Sequence, residues 1–166
     1  SAGHDLKEIK VARKNADEGK IFFQSLFNLC SSLMQLIINA PQPVIAEVDG
    51  VATAAGCQLV ASCDLAIASQ ESKFATPGVN IGLFCSTPMV ALSRNIGKKD
   101  AMQMLLTGDM VSAKKAKEMG LINDVVNKNE LSSAVRELSE KIASKSSMTI
   151  KTGKKAFYAQ VEMDLS

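Results

Sequence analysis

An α/β fold with a helical C-terminal part is predicted from three features of this 166-residue chain. Short β-type runs at Val44–Val48, Asp64–Ala68 and Lys73–Ala75 flank a buried helical segment, and strand, helix, strand in short steps favours parallel pairing. Pro and Gly fall between these runs, where turns are needed. The last third of the chain is mostly helical in pattern. Apolar residues make up 46% and charged residues 22%, an ordinary balance for a globular domain, and this length suits one domain.

Taken in order, Lys7 to Lys20 is charged, with little apolar periodicity, and reads as a mobile surface helix or loop. Phe22, Leu26, Leu29, Cys30, Leu33 and Ile37 recur at helical spacing, and Pro41 and Pro43 end that helix near Asn39. Val44–Val48 follows as a strand closed by the turn signal Asp49-Gly50. Residues 51–56 are rich in small side chains. Cys57–Cys63 reads as a short buried helix, Asp64–Ala68 and Lys73–Ala75 as strands, and Thr76-Pro77-Gly78 as a loop. Ser86–Ile96 is a helix with Pro88 in its first turn, and Lys99–Leu106 is another, ended near Gly108. Ser112 caps a helix that runs to Met119 and stops at Gly120. Leu121–Val126 reads as a late strand, and 131–144 and 148–160 as helices. On this basis residues 1–108 form the core and residues 109–166 a mainly helical C-terminal part.

Composition excludes several functions. With no Trp, 4% aromatic residues and a net charge of +2, the chain has neither the stacking platform nor the basic surface of a nucleic-acid binder. No apolar run approaches the roughly 20 residues of a membrane span, so none is expected. The four cysteines, Cys30, Cys57, Cys63 and Cys85, form no Cys-x-x-Cys pair, which argues against a zinc ribbon. They read as buried free thiols of a reducing compartment. His4 is the single histidine, so no His-rich metal site is expected. The chain opens in a tight loop, Ser1-Ala2-Gly3-His4-Asp5, and a further N-terminal part is expected.

Two glycine-containing loops are the candidate chemical elements: residues 2–7 (Ala-Gly-His-Asp-Leu-Lys) and residues 50–57 (Gly-Val-Ala-Thr-Ala-Ala-Gly-Cys). Each lets backbone approach a ligand closely. Each also precedes a helix, whose first N–H groups are free to face a developing negative charge.

Taken together the motifs are specific. Ala-Gly-His-Asp-Leu-Lys, then Pro-Val-Ile-Ala-x-Val-Asp-Gly, then Ala-Ala-Gly-Cys-Gln-Leu, then Ser-Cys-Asp-Leu-Ala-Ile-Ala closely resembles the crotonase (enoyl-CoA hydratase/isomerase) superfamily. Phe74-Ala75-Thr76-Pro77, Leu106-Thr107-Gly108, Ser112-Ala113-x-x-Ala116 and Gly120-Leu121 continue the likeness over nearly the whole chain. The runs Ala54–Asp64 and Gly82–Pro88 look most like a mitochondrial branch of it.

The resemblance implies a ββα superhelix whose later helices mediate a homotrimer, stacked in some cases as a hexamer. It also implies that early strands and final helices of a complete member lie outside this sequence at both ends. Members hold the thioester carbonyl of an acyl-CoA with two backbone N–H groups, here those of His4 and Ala55. Coenzyme A is then part of the substrate, with no permanently bound cofactor and no metal. Lys7 matches a position where the family often has a lysine near the CoA, and phosphate contact is its expected role. Lys10, Arg13 and Lys14 read as a solvated face.

The sequence departs from a hydratase of this family at both acid–base positions. Gln58 and Gly78 stand where the resemblance places glutamates. An amide orients water but does not take and return a proton near neutral pH, and glycine offers no side chain. Ser86, with Cys85 beside it, matches a third position where some isomerases carry a carboxylate. Three readings follow. The first is an acyl-CoA-binding homologue of fatty-acid metabolism without efficient hydratase activity. The second is an active hydratase, isomerase or thioesterase using groups such as His4 or Cys85. The third is a non-enzymatic binding or assembly protein.

Overall fold

A computed structural model describes residues 1–164. The last two positions of the 109–166 segment lie outside the described residues. The chain starts with α1 (Leu6–Ala12) and α2 (Lys20–Asn39), followed by β1 (Ile45–Val48), β2 (Val51–Thr53) and α3 (Ala55–Ser62). A second set repeats the pattern: β3 (Leu65–Ser69), β4 (Lys73–Ala75), a 3-10 helix (Pro77–Ile81) and α4 (Ser86–Asn95). Next come α5 (Lys98–Thr107), β5 (Val111–Ser112), α6 (Ala113–Met119), β6 (Asp124–Val126), a 3-10 turn (Lys128–Glu130), α7 (Leu131–Ala143) and α8 (Ser147–Gln160).

Successive ββα units stack. β1 runs parallel to β3 with Ile45 opposite Leu65, and β2 runs parallel to β4 with Val51 opposite Lys73. This gives two three-stranded sheets, β1-β3-β6 and β2-β4-β5. Serines tie the corners of the coils together. Ser72 Oγ donates to Val48 O at 2.9 Å, accepts from Gly50 N at 3.1 Å and lies 2.9 Å from Ser69 Oγ. Buried polar groups are thereby paired with one another, as an interior of low polarity requires. β5 and β6, both beyond residue 108, complete the two sheets.

The core sits between the sheets and α3–α6. Phe74, Leu92 and Met104 are its largest fully buried side chains, packed with Cys57, Ala68, Ala113 and Ala116. Small residues at 52, 61, 66, 68, 113 and 116 allow the coils to approach closely.

Several boundaries follow their local signals. Ser112 Oγ accepts from Lys115 N at 3.2 Å as the cap of α6. Gly120, at φ 85°, ends that helix in the left-handed conformation, with Leu121 N donating to Ala116 O at 2.9 Å. Other expectations are corrected. The late strand begins only at Asp124, because Leu121 and Ile122 are buried in the loop closing α6. Residues 51–53 form β2, and 77–81 form a 3-10 helix rather than a loop. Within the charged segment 7–20, residues up to Ala12 are α-helical.

α2 bears on the expectation about apolar length. Among the described residues it is one helix long and apolar enough, by length and composition, to cross a membrane, with a mean hydropathy of 1.6. Its apolar positions are interrupted by Gln24, Ser25, Asn28, Ser31, Ser32 and Gln35, so no continuous run stands out in the sequence. Ile21, Leu29 and Leu36 are exposed, while Met34 and Ile37 face inward.

The thiols also divide. All four are free; Cys57 and Cys85 are buried, whereas Cys30 and Cys63 are only partly so.

Candidate functional site

The first loop folds directly onto the second. Ser1 N donates to Val51 O at 2.8 Å, and Thr53 N donates to Ser1 O at 2.9 Å, so residue 1 pairs alongside β2. Gly3 then seats against the start of α3. A Cβ built on it would lie 3.0 Å from Ala54 Cβ and 3.2 Å from Ala55 N. Gly56 meets the same segment from the other side, where an added Cβ would fall 2.2 Å from Ser1 O. Two close approaches of this kind require glycine at both positions.

Between them lies an unusual backbone. Ala54 has φ 51° and ψ −121°, a sparsely populated conformation for a residue with a side chain. Ala54 N donating to Ala75 O and Gln58 N donating to Ala54 O, both at 3.0 Å, hold it in place. The turn aims the start of α3 at the first loop. Among the described residues no acceptor takes the N–H of Ala55 or of His4. Free N–H groups at a helix start carry partial positive charge, and here one lies beside the Gly3–His4 peptide. The His4 ring is turned elsewhere, edge-on to Phe27 with centroids 6.1 Å apart.

Gln58 lies one turn into α3 and is buried, and its Oε1 has no hydrogen-bond partner. Thr76, fully buried just after β4, has an unpartnered Oγ1 as well. Leaving a buried acceptor unpaired typically costs about 1–3 kcal/mol, so both groups are poised to take a partner. Gly78 lies in the following 3-10 helix, half-buried, and its N–H donates to Cys85 Sγ at 3.3 Å. Lys7 is exposed on the first turn of α1, which Asp5 caps by accepting from Lys7 N at 2.7 Å.

Of the sequence-derived candidates, the fold therefore seats the residue before His4 against Ala54 and Ala55, carries Gln58 one turn further along α3 and puts Gly78 beside Cys85. The strain at Ala54 and the unpaired Thr76 hydroxyl escaped sequence reasoning, since an alanine and a threonine in a strand-to-helix turn carry no local signal. Two open concavities lie elsewhere: one of about 730 Å³ along α2, the other of about 390 Å³ beneath α8.

Burial pushes the Cys57 thiol up to about 12, with neighbouring Cys85 adding to the effect, and burial likewise raises Cys63 to about 11. A thiol whose folded value exceeds its unfolded 9.0 favours the folded state fully below pH 9 and loses that contribution as pH rises toward 11–12. For Cys57 the expected loss is about 1.4 kcal/mol per pH unit across that window. Urea midpoints at pH 8, 9.5 and 11 check it, and a flat profile contradicts it. Native Cys57 is also expected to resist thiol reagents at pH 8 while the unfolded chain reacts.

Comparison with known proteins places these features in context. The sequence pattern of the family described as Enoyl-CoA hydratase/isomerase matches residues 1–166. Enoyl-CoA hydratase domain-containing protein 3, mitochondrial, of Rattus norvegicus is 51% identical over 166 residues, covering 100% of this chain and 54% of the relative. The short-chain-enoyl-CoA hydratase of Clostridium acetobutylicum is 34% identical, covering 99% of this chain and 61% of the relative. The crystal structure of human enoyl Coenzyme A hydratase domain-containing protein 3 superposes with a TM-score of 0.91 at 50% identity, over 99% of this chain and 63% of that one. The chain spans about half the length of the curated relatives named for that domain.

Proposed function

The chain belongs to the enoyl-CoA hydratase/isomerase family, and from that premise we propose that it binds an acyl-CoA thioester between the N–H groups of His4 and Ala55 without hydrating it efficiently. The observation that carries this reading is the seating of Gly3 against the Ala55 amide beneath a strained Ala54. Fixed donors of this type stabilise the oxyanion of an enolate or tetrahedral intermediate, each contributing about 2.7–4 kcal/mol to the barrier. They are main-chain groups, so side-chain replacements around them leave the device intact.

The chemistry beyond the carbonyl is what the site lacks. Gln58 offers an amide in place of a carboxylate, and Gly78 offers nothing. Its unpaired Oε1 suits Gln58 to hold a water or a polar ligand atom, with no proton transfer by that group. Lys7, exposed after the first loop, is the proposed contact for a CoA phosphate. A role in fatty-acid metabolism belongs to the same reading. So does mitochondrial location, which the names of relatives at about 50% identity support. A homotrimer or hexamer is proposed on the family resemblance; a monomeric mass for the full-length protein by light scattering contradicts it.

Calorimetric titration of the full-length protein with acyl-CoA esters, alongside a hydration assay on crotonyl-CoA, tests the function. Saturable binding with no hydration above background is expected, and Lys7→Ala should weaken binding and flatten its salt dependence. Absence of binding overturns the proposal. Turnover that persists in Gln58→Ala favours an enzyme using other groups.

A further inference from the structure

Gly78 is packed on two sides. Its N–H donates to Cys85 Sγ at 3.3 Å, and its carbonyl accepts from Leu83 N at 2.9 Å. A Cβ added there would fall 2.9 Å from Cys85 Sγ and 2.7 Å from Leu83 O. The segment 78–85 is thus closed on itself, and the Leu83 carbonyl and the thiol together fill the space into which a side chain at 78 would grow. Cys85 has little room to yield: it is buried, stands at the start of α4 and accepts from Met89 N through its carbonyl at 3.0 Å.

Cys57 of α3 and Cys85 belong to one buried core cluster, and Gln58 follows Cys57 in the chain. Gln58 Oε1 and Thr76 Oγ1 are buried without a hydrogen-bond partner, whereas buried polar atoms are ordinarily paired with protein or water.

We infer that Cys85 is a specificity-determining residue of the proposed site: together with the Leu83 carbonyl, its thiol occupies the volume that a side chain at 78 would take and so holds that position free of an acid–base group. The inference rests on the proposed thioester function for its chemical meaning. The loss of both glutamates is then not two independent point changes. Position 85 has to change, and residue 78 has to shift away from the Leu83 carbonyl into the vacated space, before a carboxylate fits; the ligand selected is a thioester whose binding or reaction asks for no proton from that position.

The experiment uses the full-length protein in two arms. In the first, thermal unfolding compares Gly78→Ala, Cys85→Ala and the double variant. The drop in Tm caused by Gly78→Ala is expected to shrink by at least half when Cys85 is already alanine, because residue 78 can then move away from Leu83 O into the vacated space. In the second, crotonyl-CoA hydration is compared between Gln58→Glu/Gly78→Glu and the same pair carrying Cys85→Ala. The triple variant is expected to hydrate at least tenfold faster than the double. Equal Tm drops, or equal hydration by double and triple variants, overturn the inference. If the unsubstituted protein binds no acyl-CoA, the proposed function fails, and the unfolding arm still decides whether Cys85 controls the space at 78.

Discussion

Replacing Asp64 by alanine is expected to lower the unfolding free energy by about 3–5 kcal/mol, the range for removing one partner of a buried ion pair. Asp64 follows α3 directly and precedes β3. Its Oδ2 accepts from Val44 N at 2.6 Å and from Lys154 Nζ at 2.7 Å, and its Oδ1 accepts from Tyr158 OH at 2.9 Å. Lys154 Nζ further donates to Ile37 O at 2.9 Å and Gln42 O at 3.0 Å. The ion-paired side chains are only 8% and 15% exposed for Lys154 and Asp64. One carboxylate therefore joins the end of α2, the entry to β1, the exit of α3 and the whole of α8. Without it a buried ammonium has no counter-charge and the Val44 N–H has lost its acceptor. Lys154→Met should cost less, because Asp64 then keeps Val44 and Tyr158 and the apolar chain fills the space. Urea denaturation of the three proteins measures the order. A loss below about 1 kcal/mol for Asp64→Ala, the level of an exposed pair, contradicts it.

Gly56→Ala is expected to weaken acyl-CoA binding by at least tenfold while leaving the secondary structure intact. Alanine suits a helix better than glycine, so α3 itself gains from the change. The added methyl, however, would fall 2.2 Å from Ser1 O and 2.8 Å from its carbonyl carbon. Both are backbone atoms of a segment paired to β2, and they have to move as a unit. That displacement carries Gly3 and His4 away from Ala55 and splits the pair of N–H donors. Circular dichroism checks the helix content and calorimetry the affinity. Undiminished affinity would remove the two-loop account of the site. Gly108, at positive φ at the end of α5, serves as the contrast: changing it should affect stability rather than binding.

The helices and their stops were legible in the sequence because their causes are local. Pro41 and Pro43 close α2, Ser112 and Gly120 bracket α6, and periodicity marks α7 and α8 to within a residue or so. By resemblance, the motif order also groups His4, Ala55, Gln58 and Gly78 as the proposed thioester site, and that an amide and a glycine stand at 58 and 78 is read directly, since a residue's chemical identity is written in the sequence. Other features depended on contacts between distant positions. β2 and β5 are three and two residues long and exist as strands through pairing with β4. Ala54, at its positive φ, donates its N–H to Ala75 O, and the Asp64–Lys154 bond spans 90 positions. The contest between a side chain at 78 and the thiol of Cys85 arises only once the loop has closed. Propensity and capping act within a turn or two of the chain, whereas strain, burial and steric exclusion are properties of neighbours that only folding brings together.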